Sequence, residues 1–397
     1  EATTLARFFL PQIPFYGLTA LGVALLNARR RFAAPAFAPV LNNLIVIAAL
    51  VLLPHVVDGD IDLDAALGNT TITLLLGLGT TLGIIAMTAA VWIAVRHAGI
   101  HIRARMEWRH PAVREVARLS GWTVGYVIAN QIALLVVSIL ALREEGHLSA
   151  YQAAFIFFQL PHGLLAVSLM TTFAPDLAER AGRGDIDGYR DRMSLGLRLL
   201  ALVMAPAAIG YAVLAVPLVS ALIERGALSA DDAILTAHTV GWFAAGLLGF
   251  SIYLFVLRGF YALKDTRRPF WINLAENALN IVLAIAFVGR WGAPGLAASY
   301  AVAYSMAAVV AYVVLARQVG GFDGRPLALG MARPVVIAVG MGLLVWGTAS
   351  AVGADHGGGA FTRVLVGVLV GVVAYVGALL LLRVPEAVAL RSLWRGR

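Results

Sequence analysis

Long apolar runs recur along the whole chain and are separated by short polar loops. About 20 apolar residues are enough for a helix to cross the hydrocarbon core of a bilayer, and the runs lack the strict alternation that marks the strands of a membrane barrel. The pattern predicts an all-α polytopic membrane protein. We expect eleven transmembrane helices, named a to k in chain order, at residues 5–28, 36–57, 71–95, 119–142, 151–174, 197–222, 234–262, 270–289, 294–316, 332–352 and 361–382.

The composition supports this class. Of the 397 residues, 60% are hydrophobic and 13% are charged, whereas a soluble domain has roughly 25% charged residues. Such a chain cannot build a charged water-facing surface, which argues against a soluble enzyme. The sequence has no cysteine, so it offers no thiolate nucleophile and no cysteine metal site. It also has no GxSxG, P-loop or HExxH motif, and we predict neither an enzyme nor a metal site.

The basic residues indicate how the chain is oriented. Most of the 30 Lys and Arg residues lie in every second loop, beginning with residues 29–31, while acidic residues such as Asp58 lie on the opposite side. The positive-inside rule therefore places the basic loops and the C-terminus in the cytoplasm. The net charge of +8 then indicates topology, and no nucleic-acid partner is expected. We expect the amphipathic basic segments 101–119 and 176–199 to lie on the anionic inner leaflet.

A weak internal repeat indicates the larger architecture. Residues 25–50 and 260–285 align when Pro35 is placed on Pro269, and both segments are a basic turn that leads into an Asn-containing helix. Helices a to c also run in the same directions as helices g to i. A six-helix unit would make d to i one complete lobe and a to c the last half of another. Three helices would then precede the chain, and with j and k the whole protein would have fourteen.

This repeat divides the chain into five predicted parts. They are the last three helices of an N-lobe, a cytoplasmic basic linker, a six-helix C-lobe, a cytoplasmic loop, and two C-terminal helices with a basic tail. Their bounds are residues 1–97, 98–118, 119–318, 319–331 and 332–397.

Four segments resemble the MurJ/MviN family of lipid II flippases, in the multidrug, oligosaccharidyl-lipid and polysaccharide exporter superfamily. They are RRRFAAPAFAPVLNNLIVI at 29–47, the Pro-Gln-x-Pro-Phe-Tyr opening of helix a, LIERGALSADDA at 222–233 and RGFYALKDTRRP at 258–269. Family members have fourteen helices. The resemblance implies that lipid II is moved from the inner to the outer leaflet of the bacterial plasma membrane, for peptidoglycan synthesis and cell shape, by alternating access of two six-helix lobes.

The resemblance also implies a set of ligands and partners. The last two helices of such proteins form a groove for the polyprenyl tail. The expected partners are undecaprenyl-linked lipid II, membrane lipids and the cell-wall synthesis machinery. No cofactor is expected, and transport is expected to be coupled to the membrane potential or to a monovalent ion.

Two departures from the family pattern leave other functions open besides lipid II transport. Ile156 stands where the family often has a cavity arginine, and Gln159 stands where it has an acidic residue. The other basic cavity residues of the family lie mostly on its first two helices, which this chain does not contain. The alternatives are a transporter of another lipid-linked sugar in the same superfamily and a non-transporting cell-wall scaffold.

Helix e contains the sequence Gln159-Leu160-Pro161-His162-Gly163 near its midpoint. Proline removes a backbone hydrogen bond and glycine loosens the next turn, so we predict a kink at mid-membrane depth around Pro161 and Gly163. Gln159 and His162 are candidates for contact with the sugar or pyrophosphate of the substrate. Alternatively, a neighbouring helix satisfies the kink and His162 is a hydrogen-bonded packing residue.

Four further polar residues lie within predicted spans. Asn130 and Gln131 on helix d either line a central cavity or form interhelical hydrogen bonds. Arg258 on helix g either binds a phosphate or extends to the interface. Glu276 on helix h is the coupling candidate for an ion or proton, because an intramembrane carboxylate is costly unless it is paired or protonated. Alternatively, Glu276 pairs with Arg258 or with the arginines of the g/h loop.

The start of helix b offers candidates for a hinge or gate. Pro35 and Pro39 predict a double break, and Asn42 and Asn43 follow within one turn. The alternative is ordinary helix capping and packing.

Overall fold

The computed structural model describes residues 7–29, 31–56, 70–100, 111–223, 230–355 and 357–386. Across these ranges the protein consists of helices joined by turns, which confirms the all-α prediction. The chain forms two compact units, Glu1–Glu107 and Trp108–Arg397. Ten helical segments of the described residues are long and apolar enough to cross a membrane.

The first unit contains α1 (Gln12–Ala28), α2 (Ala33–Val56) and α3 (Thr70–His97). Helix α3 packs against both of the others, whereas α1 and α2 touch little. Its small residues permit close approach, as at Gly79, where an added Cβ would lie 2.7 Å from the Cβ of Ala49. Polar side chains tie α1 to α3 within this apolar packing, as expected for membrane helices.

The second unit is built around one central helix. Its helices are α4 (Pro111–Ala141), α5 (His147–Pro161), α6 (Val167–Arg183), α7 (Ile186–Val213), α8 (Ala215–Ile223), α9 (Ala230–Ala262), α10 (Arg267–Val319), α11 (Gly324–Ser350) and α12 (Gly357–Leu381). A π-helical turn, His162–Ala166, joins α5 to α6. Helix α9 packs against α5 to α8 and α10, and its residues Phe243 and Phe255 are fully buried in the core.

Helix α10 contains both predicted helices h and i. It has 53 residues, which as a straight helix would be about 80 Å long, far more than the ~30 Å of a bilayer core. Gly292 breaks it, with φ +57° and ψ −136°. The ten apolar segments therefore correspond to the eleven predicted spans, because α10 contains two of them.

Several predicted boundaries are wrong. Helix α4 begins at Pro111 instead of residue 119, and α11 begins at Gly324, inside the predicted loop 319–331. Predicted helix f begins early, as α7 at Ile186, and is interrupted at Leu214 before α8. Sequence hydropathy misses these helix ends because they extend past the apolar run and carry charged residues.

The segment 176–199 does not form a separate surface helix. Helices α6 and α7 continue through it and meet in a tight turn, where the Asp185 side chain accepts a hydrogen bond from the Gly188 N–H at 2.9 Å. Leu177, Tyr189 and Met193 are fully buried. The apolar face that predicted membrane binding packs against the protein itself. Most of the other predicted surface segment, residues 101–110, lies outside the described residues, as does the acidic loop that contains Asp58.

Candidate functional site

A cavity of about 460 Å³ lies between α4, α5 and α10 in the second unit. Its wall combines side-chain amides with aromatic rings, and none of the described residues that line it is charged. We call it the amide cavity. It is lined by Asn130, Gln131, Ala133, Leu134, Val137, Ser138, Tyr151, Gln152, Phe155, Ile156, Asn277, Asn280, Tyr300 and Tyr304.

Asn130 joins α4 to α10 on one side of this cavity. Its Nδ2 donates to the carbonyl oxygen of Tyr126 at 2.8 Å and to Oδ1 of Asn273 at 3.2 Å. The hydroxyl of Tyr304 donates to Oδ1 of Asn130 at 3.5 Å. The prediction of interhelical hydrogen bonding therefore holds for Asn130, which also lines the cavity, while its neighbour Gln131 is exposed at the wall.

Glu276 lies behind this wall and is 3% exposed. Its Oε2 accepts a hydrogen bond from Nδ2 of Asn273 at 3.5 Å. Its Oε1 is buried and has no hydrogen-bond partner among the described residues. An ionised carboxylate in such a place is costly, whereas a proton or a cation would satisfy the free oxygen.

The predicted ion pair between Glu276 and Arg258 is wrong. Arg258 is exposed near the end of α9 and forms no ion pair with any described residue, whereas Glu276 faces inward on α10. No arginine of the turn between α9 and α10 reaches Glu276 either, since Arg268 pairs with Asp265 at 2.6 Å. Helix periodicity alone could not show that the two side chains face different surroundings.

Two more amides extend the polar surface along α10. Asn277 Nδ2 donates to the carbonyl oxygen of Asn273 at 2.9 Å. The Ser299 hydroxyl donates to Oδ1 of Asn280 at 2.9 Å, which ties together the two halves of α10 on either side of its break. Both asparagines also line the amide cavity.

Aromatic rings form the other side of the cavity. Tyr300 and Tyr304 lie one turn apart with ring centroids at 4.3 Å, and Phe155 meets Tyr300 edge to face at 5.9 Å. Such stacked faces and edges suit sugar rings and peptide groups as well as packing.

The prolyl segment of α5 has an irregular backbone. Pro161 has no N–H to donate, and the π-helical turn begins immediately after it. His162 is 5% exposed and does not line the cavity, and its Nδ1 lies 2.9 Å from the Ser251 hydroxyl. Gln159 and Gly163 are exposed and do not line the cavity.

The hinge candidates lie in the first unit. Helix α2 runs without interruption from Ala33 to Val56, with Pro39 inside it, so the predicted double break is absent from this structure. Pro35 occupies the first turn, where its missing N–H removes no helical bond. Asn42 packs against Gly83 of α3 with its Oδ1 buried, and Asn43 is exposed. A hinge role for these residues stays a prediction.

A second, apolar cavity of about 320 Å³ lies between α7, α11 and α12. We call it the apolar groove. At its edge, Gly367 and Gly371 let α12 pack closely on Val345 of α11, and an added Cβ at Gly367 would lie 2.9 Å from Leu214. Its other lining residues are Leu165, Val203, Pro206, Ala207, Gly210, Tyr211, Leu218, Met341, Val364, Val368, Val372, Tyr375 and Val376.

Sequence reasoning missed several residues of the amide cavity. Gln152 lies one turn before Ile156 on the exposed face of α5, and Tyr300 and Tyr304 share one face of α10. Gln152 could have been found from the sequence, because it is a polar residue four positions before Ile156 and therefore lies on the same helix face. Nothing in the sequence pairs α5 with the second half of α10.

Comparisons with known proteins agree with this architecture. The model of one protein family, described as "Lipid II flippase MurJ", matches residues 1–382. A "Probable lipid II flippase MurJ" from Haemophilus influenzae is 28% identical over 358 residues, covering 87% of this chain and 67% of that protein. One from Rhizobium meliloti is 28% identical over 346 residues, covering 85% and 62%. The chain therefore spans about two thirds of the length of these relatives.

A solved structure described as "Lipid II flippase MurJ, inward closed conformation" has the same fold. Its TM-score with this chain is 0.69 at 22% identity, and the match covers 96% of this chain and 74% of that chain.

Proposed function

Because this chain belongs to the MurJ family of lipid II flippases, we propose that the protein moves lipid II from the inner to the outer leaflet of the bacterial plasma membrane by alternating access. The observation that supports this proposal is that the second unit contains both the amide cavity and a separate apolar groove. A lipid-linked glycopeptide needs both environments. The basic loops and the C-terminus then lie in the cytoplasm.

The apolar groove is the proposed site for the polyprenyl tail. Within the part of the chain that the structure describes, its lining is aliphatic and aromatic, without a charged side chain. A chain of isoprene units gains about 25 cal/mol for each Å² of apolar surface removed from water, but it gains little by leaving lipid. The groove would therefore orient the tail during transport and add little affinity.

The amide cavity is the proposed contact for the sugar and peptide parts. Asparagine and glutamine offer both donors and acceptors, which suits hydroxyl and amide groups. Ile156 is 64% exposed beside this cavity, so at this position the cavity offers no cation to the pyrophosphate. We assign only the neutral parts of the headgroup to this cavity.

Glu276 is the proposed coupling residue. A monovalent cation or a proton at its free Oε1 would neutralise the carboxylate, and Asn273 and Asn277 would supply amide oxygens nearby. Binding and release of that charge would bias the packing of α4 against α10 through Asn130.

The function is tested by measuring lipid II on the outer face of cells depleted of their own flippase and supplied with the full-length protein. Gly210→Leu would place a side chain in the apolar groove, because Gly210 lines it and an added Cβ there meets nothing within 4 Å. Gly377→Leu is the control, because its Cβ also meets nothing within 4 Å and Gly377 does not line the groove. We expect the first substitution to lower export several-fold and the second to leave it unchanged. No export by the unsubstituted protein, at normal membrane abundance, would refute the function and favour another lipid-linked sugar or a scaffold.

Coupling is tested in the same cells with Glu276→Gln. The expected result is reduced export that no longer responds to dissipation of the proton or sodium gradient, with unchanged abundance. Export that keeps its normal gradient dependence would refute the role of Glu276 without affecting the proposed function.

A further inference from the structure

A strongly basic pocket lies where α4 begins and where α9 turns into α10. It has a volume of about 340 Å³ and is lined by Arg118, Leu119, Trp122, Lys264, Asp265, Thr266 and Arg267. It shares no lining residue with the amide cavity and lies about two turns before Asn130 on α4. The proposed transport steps do not use it.

The turn between α9 and α10 has a conformation that presents its basic side chains. Lys264 has φ +56°, in the left-handed region that an L residue adopts at a cost of roughly 1–2 kcal/mol. Its N–H donates to the Tyr261 carbonyl at 3.0 Å, which closes the end of α9. Its Nζ lies 3.0 Å from Oε1 of Glu115 on α4, so the turn is fastened to the neighbouring helix.

The acidic residues of this region are already engaged. Asp265 accepts hydrogen bonds from the backbone N–H groups of Arg267 and Arg268 at 3.1 Å and pairs with the Arg268 side chain. Among the described residues, neither Arg118 nor Arg267 has a carboxylate within ion-pair distance, and both are exposed. Two guanidinium groups beside one pocket are therefore available to an external anion.

Aromatic residues place this pocket at a membrane surface. The Arg267 guanidinium lies 5.9 Å from the Trp122 ring centroid, and Trp122 packs on Phe270 at 5.2 Å. Arg267, Trp271 and Leu274 lie on one face of α10, and Trp271 and Leu274 are 53% and 39% exposed. A basic, then aromatic, then aliphatic order along one helix face is typical of a helix that passes from the headgroup layer into lipid.

We propose that this pocket binds the phosphate headgroup of an anionic phospholipid. Arg118 and Arg267 contact the phosphate through paired N–H donors. Lys264 lies at the rim, where its charge is balanced by Glu115. The acyl chains extend along Trp271 and Leu274. A free phosphate or nucleotide would make no use of the exposed apolar stripe, which favours a lipid as the ligand.

The site is tested by native mass spectrometry of the full-length protein, released from micelles with equal amounts of phosphatidylcholine and phosphatidylglycerol. The test variant is Arg118→Gln/Arg267→Gln. The control is Arg317→Gln, another exposed arginine at a helix end on the same predicted side. We expect the test variant to lose most bound phosphatidylglycerol, at least several-fold, and the control to lose little. Equal losses, or none, would overturn the proposal.

A second measurement uses the single lysine of these 397 residues. The full-length protein is treated with an amine-reactive reagent in phosphatidylcholine vesicles with and without phosphatidylglycerol, and modification of Lys264 is measured by peptide mapping. Arg317→Lys supplies a reporter amine that experiences the same surface charge. Protection of Lys264 beyond that of the reporter supports the site, and equal protection overturns it. If undecaprenyl diphosphate displaces phosphatidylglycerol at equal concentration, the ligand is the lipid-linked diphosphate and the proposed phospholipid is wrong.

Discussion

Gly246 on α9 packs closely against Ala301 in the second half of α10. An added Cβ there would lie 2.5 Å from Cα and 2.6 Å from Cβ of Ala301. One turn further, a Cβ at Gly249 would lie 2.8 Å from Cα of Ser305. Small residues on both helices thus form one continuous seam, the arrangement that lets membrane helices approach closely. Gly246→Ala therefore tests whether this close approach stabilises the second unit.

The size of the effect follows from two opposing contributions. Replacing glycine by alanine inside a helix stabilises it by about 1 kcal/mol. Carbon atoms in contact normally lie about 3.5–4.0 Å apart, so the new methyl group must separate α9 from α10 by about 1 Å, and overpacking of this kind costs about 1–3 kcal/mol. Gly241→Ala on the same helix gains the first contribution without the second, because its Cβ meets nothing within 4 Å.

The assay is reversible unfolding of the purified full-length protein in mixed micelles, followed by far-ultraviolet circular dichroism. We expect Gly246→Ala to be less stable than Gly241→Ala by about 1–3 kcal/mol. Because both variants share the propensity gain, the difference between them isolates the contact with Ala301. Equal stability of the two variants would refute the reasoning and would mean that the helices separate without cost.

Three further substitutions test other contacts of the second unit. Arg198→Leu leaves Glu386, which is 4% exposed and paired with it at 3.1 Å, without its partner; we expect a loss of about 1–3 kcal/mol, below the value for a fully buried pair because the arginine is partly exposed. Gly292→Ala would force an alanine into a backbone conformation suited to glycine and would also push its Cβ against the His147 ring, so it should cost at least about 1–3 kcal/mol. Ser251→Ala removes the hydrogen bond to His162 and should cost only about 0.6 kcal/mol. Each loss is measured by the same unfolding assay.

Control variants test whether each loss of stability comes from the stated contact and not from any substitution in the same region. Adding Glu386→Leu to Arg198→Leu should restore most of the lost stability, because no buried charge is left unpaired. Gly289→Ala, one turn before the break in α10, meets nothing within 4 Å and should be tolerated. If the double variant were no more stable than the single one, or if Gly289→Ala cost as much as Gly292→Ala, the corresponding explanation would be wrong.

The sequence alone determined the class of the protein. Runs of about 20 apolar residues are long enough to cross a bilayer, and a lipid-exposed backbone must satisfy its own hydrogen bonds, which helices do. The positions of most helices and the family followed from these runs and from short segments such as residues 258–269. Helix ends were less accurate because helices such as α7 continue past the apolar run through charged residues.

Only the tertiary structure decided which polar residues share a site. Asn130 and Glu276 were both candidates, yet their connection through Asn273 depends on how α4 packs on α10. His162 was also a candidate, but the packing of the π-helical turn against α9 places its ring beside Ser251, and it does not line the cavity. Helical periodicity shows which residues share one face of a helix. Which neighbouring helix covers that face depends on packing between distant parts of the chain, and no local sequence pattern reports it.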